Sequence, residues 1–194
     1  MNLYDSAALA ARVQDGKLLS VDRWNPPFSG EMNLYIARDG TWWHEGVPIR
    51  RDSLVRLFST LLRREEDGYY YLLTPVEKWR IQVEDAPFLA VWMDIERPGK
   101  DQVLHFRTNL GDTISAGPDH SIKVKYALNR DEPSPYVHVR DQLWALLSRT
   151  VFLELANLAI AKRLADKTVY GVYSHKIFFP LDDNSMIQLS DTTQ

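Results

Sequence analysis

Asn33-Leu34-Tyr35-Ile36-Ala37-Arg38-Asp39-Gly40-Thr41-Trp42-Trp43-His44 sets two β-prone runs on either side of an Asp-Gly pair. That is the strongest short-range hairpin signal a sequence carries. It predicts a tight turn with Asp39 and Gly40 as its two central residues, both at positive φ for a type I′ turn. Neighbouring strand residues face opposite ways, so one of Trp42 and Trp43 can enter the core while the other faces a groove.

Working outward, paired Pro26 and Pro27 make residues 24–30 a loop, because neither can donate to a strand ladder. Before it, Asp5 caps a short helix over residues 7–14, with Gly16 as its stop. After the hairpin, Arg51-Asp52 opens a helix whose Leu54, Leu57, Phe58, Leu61 and Leu62 form one apolar stripe. Asp67-Gly68 ends that helix and residues 69–74 read as a strand. Residues 78–83, 88–95, 102–108, 113–116 and 121–128 then read as successive strands, separated by turn-forming residues. Arg140-Asp141 opens a second, long helix over about 141–165, apolar nearly all round and therefore central. Residues 168–173 and 176–179 close the pattern as strands.

The composition narrows the function classes. Hydrophobic content is 45% over 194 residues with a formal net charge of −3, which suits a folded core rather than a disordered chain. Six Trp, nine Tyr and seven Phe must fill that core or line a pocket. Nucleic acid is not an expected partner, because phosphate binding needs a concentrated basic face. Cysteine is absent, which excludes disulfides, thiolate zinc sites and thiol nucleophiles. The first residues lack a charged n-region, and no stretch approaches 18 uninterrupted apolar residues. The expected home is the cytoplasm, with no membrane partner.

The chain also resembles itself. Arg51-Asp52-Ser53-Leu54-Val55-Arg56-Leu57-Phe58-Ser59 aligns with Arg140-Asp141-Gln142-Leu143-Trp144-Ala145-Leu146-Leu147-Ser148 at an offset of 89 (51 to 140). Any amphipathic helix with an Asp cap gives part of this match, but strands flank both segments, which favours duplication. The expected fold class is α+β, an antiparallel sheet plus helix in each half. The halves are residues 1–78 (helix, hairpin, helix, strand) and the β-rich 79–194. Asp52 and Asp141 serve as N-caps. Arg51 and Arg140 do not suit a helix start, so they need a carboxylate or an anionic ligand as partner.

The order of several short motifs resembles a bacterial family known as Domain of Unknown Function 1285. They are His44-Glu45-Gly46-Val47-Pro48-Ile49, Thr74-Pro75-Val76-Glu77, Ile81-Gln82-Val83-Glu84-Asp85-Ala86-Pro87-Phe88, Arg107-Thr108-Asn109, His120, and Pro135-Tyr136 before Arg140. The likeness runs from about Trp42 to Arg149. It implies a duplicated core and a second half similar to a pleckstrin-homology-like fold. It also implies a nucleotide-like ligand between the halves and a signalling role, with no established activity.

Motif chemistry supports binding more than catalysis. His44-Glu45 does not extend to a zinc-binding His-Glu-x-x-His, since Pro48 stands at the second ligand position. His105, His120, His138 and His175 lack metal-ligand spacing, so no metal or cofactor is expected. The serine-hydrolase elbow, the phosphate-binding loop and the dinucleotide fingerprint are all missing. Asp94 and Glu96 share a strand face, where carboxylates are usually only solvated. The stronger candidates are Trp42, Trp43, His44 and Glu45 as stacking and polar groups, with Arg50, Arg51, Arg107 and Arg140 for negative charge. The first expectation is a non-catalytic sensor or regulator of a nucleotide-like or other anionic small molecule. An enzyme using Glu45, Glu77 or Asp85 with a histidine is the alternative, as is a module that binds a protein partner.

Overall fold

The computed structural model describes residues 21–99, 101–126, 133–164 and 167–182. The helix expected over 7–14 lies outside them. The described residues are mostly β, with two helices. No helix among them is long and apolar enough to cross a membrane. Two compact units emerge, Met1–Pro87 with Asp141–Leu143, and Phe88–Arg140 with Trp144–Gln194.

In the first unit, β1 (Phe28–Ile36), β2 (Trp42–His44) and β3 (Val47–Pro48) form a meander. Helix α1 (Asp52–Thr60) leads to a second meander of β4 (Leu62–Arg64), β5 (Tyr70–Leu73) and β6 (Lys78–Val83). The meanders join where β1 runs parallel to β6, giving the order β3-β2-β1-β6-β5-β4. Leu34, Ile36 and Trp42 are buried on one face, and Phe58 of α1 meets Trp42 at a ring separation of 6.4 Å.

The second unit repeats this plan. Strands β7 (Phe88–Glu96), β8 (Val103–Thr108) and β9 (Thr113–Ser115) form one meander. Strands β10 (Ile122–Lys125), β11 (Ser134–Arg140) and β12 (Leu143–Leu147) form the other. The parallel pair is now β7 with β12, and the order is β10-β11-β12-β7-β8-β9. The core is therefore duplicated, as expected. Helix α2 (Arg149–Asn157) follows, then a three-stranded sheet of β13 (Ile160–Leu164), β14 (Lys167–Ser174) and β15 (Ile177–Pro180). α2 packs on β7 and β14.

The repeat does not have the register the helices suggested. Matching the parallel pairs makes β1 equivalent to β7 and β6 to β12, at offsets of 60 (28 to 88) and 67 (78 to 145) rather than 89. There is no long helix over 141–165. Asp141 is the positive-φ residue (φ 47) of the turn joining β11 to β12, a conformation that Asp tolerates. Leu143, Ala145 and Leu147 alternate into the core as a strand. The later helix is capped by Ser148, whose Oγ accepts from Val151 N at 3.3 Å. Asp52 is not a cap either. The N-cap is Arg51, whose side chain makes no capping bond, and Asp52 complements the dipole from the first turn. The boundary also moves. Strand Lys78–Val83 pairs with β1, so the first unit continues to Pro87 rather than ending at 78.

The hairpin forms with a different turn. Gly40 N donates to Ala37 O and Ala37 N donates to Thr41 O, so Arg38 and Asp39 are the central residues. Gly40, at φ 83, adds the extra left-handed residue of a three-residue loop. A two-residue turn with both φ positive occurs next door, at Glu45 (φ 50) and Gly46 (φ 75).

A buried hydroxyl is among the ties between the third sheet and the second. Ser174 Oγ accepts from Leu104 N at 2.9 Å and donates to Ala116 O at 2.6 Å. Removing it strands a buried donor and a buried acceptor. Ser174→Ala should lower unfolding free energy by roughly 1–3 kcal/mol in urea denaturation. An unchanged midpoint would show that the two backbone groups find other partners.

Candidate functional site

The residues expected to form a site are carried by both units, and within the first they alternate between the two faces of its sheet. In the first unit Trp42 is 1% exposed and belongs to the core, and its buried Nε1 has no hydrogen-bond partner among the described residues. Trp43 pairs across the ladder with Tyr35 and Pro48 on the opposite face and is half-exposed. His44 pairs with Leu34 and lies on the Trp42 side. Glu45 accepts from Asn33 Nδ2 at 3.0 Å. Arg50 is exposed, and Arg51 Nε donates to Ser53 Oγ at 3.2 Å. In the second unit the Arg140 guanidinium lies 5.1 Å from the Phe88 ring centre, at the end of a strand rather than at a helix start.

Arg107, on β8, sits differently. Its guanidinium stacks 5.1 Å from the centre of the Trp92 ring on β7. Trp92 is 42% exposed, Arg107 is exposed too, and no described carboxylate pairs with this guanidinium. The cause is a β-bulge. Ala90 pairs with Thr108 but Trp92 pairs with Arg107, so β7 holds one extra residue, Val91. Without the bulge, period-2 alternation would send Trp92 to the buried side with Ala90. With it, Trp92, Asp94 and Glu96 share the outer face with His105 and Arg107.

Further along this sheet the same pairing of rings with cations recurs. Lys123 Nζ lies 3.1 Å from the centre of the Trp144 ring, and Lys125 Nζ lies 5.2 Å from that of Tyr136. The His138 ring sits edge-on to Trp144 at 5.0 Å and 5.8 Å from His120. Each imidazole is anchored through Nδ1 to a backbone carbonyl, His120 to His138 O and His138 to Asp119 O. The second unit thus offers aromatic faces with positive charge already stacked on them. Trp92 and Trp144 escaped the sequence reading for separate reasons. A bulge leaves no compositional mark, and Trp144 sat in a stretch assigned to a helix.

The first unit has a cleft of about 520 Å³ along β4 and the turn after it. Its charges are already engaged. Arg63 donates to Val21 O, Trp24 O and Glu65, and Lys78 Nζ reaches Glu65 at 3.0 Å. Tyr71 donates to Asp67 Oδ2 at 2.6 Å. That bond holds the Asp67 carboxyl below its ordinary value and pushes the Tyr71 phenol up to about 12. Burial raises the Glu65 carboxyl, but the bonds from Arg63 and Lys78 outweigh it and leave the group lowered. This network fastens the 3-10 turn Val21–Arg23 to the sheet and ties up Arg63, Glu65, Asp67 and Lys78. No group of metal-binding side chains occurs among the described residues.

A lowered carboxyl contributes stability above its unfolded value, about 4.3, and loses it as pH falls through the folded value. Glu65→Gln should therefore destabilise most above about pH 5, with the gap to wild type closing towards pH 3. A gap that stays constant across that range would contradict the ion-pair assignment.

Comparison with known proteins follows the same two-part division. The N-terminal domain profile of a family described as Domain of unknown function (DUF1285) matches residues 20–86, and its C-terminal domain profile matches 87–181. A DUF1285 family protein from Silicibacter pomeroyi DSS-3 is 43% identical, with a TM-score of 0.77 over 89% of this chain and 93% of that one. A DUF1285 family protein from Shewanella baltica OS155 is 30% identical, with a TM-score of 0.50 over 65% of this chain and 91% of that one. No curated protein matches. With both domain profiles matched in order across the chain, it belongs to the DUF1285 family.

Proposed function

We propose that this protein is a sensor or regulator that binds a planar, anionic small molecule, with nucleotide-like compounds the leading class. The observation that supports this most is the Arg107 guanidinium stacked on the exposed Trp92 ring without a described carboxylate partner. An exposed indole is costly to leave in water and offers a face to a flat ring. A guanidinium fixed beside it offers a planar fork for phosphate or carboxylate. The bulge at Val91 serves this reading, since it alone turns Trp92 outward. Lys123 and Lys125 extend positive charge along the same sheet.

A pleckstrin-homology-like character of the second unit belongs to the same proposal. Its support is a strand-rich sheet followed by a helix. So does residence in the cytoplasm, supported by the absence of cysteine from an aromatic-rich chain.

The test is a thermal-shift panel of nucleotides and related aromatic anions, followed by titration of the best binder. Arg107→Ala should weaken binding by roughly 1.5–3 kcal/mol, the range for charge-assisted hydrogen bonds. Trp92→Ala should cost roughly 1–3 kcal/mol through lost stacking. Both side chains are exposed, so the melting temperature without ligand should barely move. A panel without any shift, or two variants that bind like wild type, would sink the proposal.

A further inference from the structure

The outer face of the second sheet carries a hydrogen-bonded chain that the binding reading does not use. Ser115 Oγ lies 2.8 Å from His105 Nδ1, and His105 Nε2 lies 3.1 Å from Glu96 Oε2. Strand geometry explains the first contact. Ala116 N donates to Leu104 O, so the next pair inward, His105 with Ser115, is a non-hydrogen-bonded pair. Side chains of such pairs approach most closely. Glu96 lies diagonally across on β7, and its other oxygen, Oε1, is held by Arg97 Nε at 3.1 Å.

The partners dictate the proton positions. An ionised carboxylate only accepts, so Nε2 of His105 carries the proton and donates to Glu96. In the neutral imidazole Nδ1 is then bare, and the Ser115 hydroxyl donates to it. A hydroxyl aimed at a neutral imidazole that a carboxylate orients is the arrangement that makes serine a nucleophile. Here the two ring nitrogens have exchanged roles. The group is within reach of a substrate, with the His105 side chain 23% and that of Glu96 52% exposed. Strand β9 ends the sheet, and the ladder pattern turns the Ser115 N–H towards that open edge. It is a donor for an acyl oxygen held at Ser115.

We propose that Ser115 is a nucleophile towards small esters, with His105 as its base and Glu96 as the residue that positions the imidazole. In the first step Ser115 Oγ bonds to the acyl carbon while its proton passes to His105 Nδ1. The bond from that carbon to the alcohol oxygen breaks, and the alcohol leaves with the proton. Water then gives a proton to the same nitrogen and attacks the acyl carbon. Ser115 recovers its proton and the carboxylic acid departs. Neither Trp92 nor Arg107 takes part, so this inference stands or falls apart from ligand binding on their stack.

The test uses the whole chain with an alkyl fluorophosphonate, read by intact mass and peptide mapping, and with p-nitrophenyl acetate turnover. One phosphonyl group should attach at Ser115, and Ser115→Ala should abolish both labelling and turnover above background. His105→Ala should slow labelling by about 100-fold or more, the lower end for a lost general base. Should that variant fail to fold by circular dichroism, the exposed Glu96→Gln decides, with an expected slowing of about tenfold or more. No label at Ser115, or equal labelling of Ser115→Ala, would overturn the proposal. Labelling that ignores both the His105 and the Glu96 substitution would do the same.

Discussion

Each six-stranded sheet depends on one parallel strand pair, β1 with β6 and β7 with β12. Every other neighbour in the meanders follows from a local hairpin, which forms cheaply. The parallel pairs cannot form locally. They close loops of some fifty residues, at an entropic cost that grows slowly with loop length. Burial at the junction has to offset that cost. In the second unit Phe88 and Ala90 of β7 and Ala145 and Leu147 of β12 supply it, and all four are buried. Because the first and last strands of each set meet in the middle, the outer strands are left as short edges, which discourages edge-to-edge association.

That constraint also explains what the amino-acid pattern disclosed. Antiparallel strands beside tight turns have a period of 2 and visible punctuation, and Val103–Thr108 was legible to within one residue. The segment 143–147 was not. A central strand reads as a continuous apolar run, and here it flows into a helix with only Ser148 between. The run Leu143-Trp144-Ala145-Leu146-Leu147 therefore looked like part of one long helix. The Arg-Asp match between 51–52 and 140–141 then seemed to mark a repeat. The true repeat lies in strand order, where residue identities need not persist.

The candidate site shows the same limit more sharply. Arg107 was legible as a possible anion ligand, but its stacking partner was not, because one inserted residue decides which way Trp92 faces. Trp42, Trp43 and His44 are consecutive in the chain, yet alternation divides them between two sheet faces. His105, Ser115 and Glu96 come from three strands, so no spacing rule could have joined them. Both proposed sites lie on sheet faces, and sheet faces are assembled by register.

The six indole N–H groups allow the central claim, a binding face on the second unit's sheet, to be tested residue by residue. In ¹⁵N-labelled protein each Trp gives its own side-chain resonance, assignable by single substitutions. On titration with a planar anion that stabilises the protein, the Trp92 signal should move in proportion to saturation, while that of buried Trp42 stays in place. Perturbation centred on Trp42 and Trp43, with Trp92 unmoved, would contradict the account and return the site to the first hairpin.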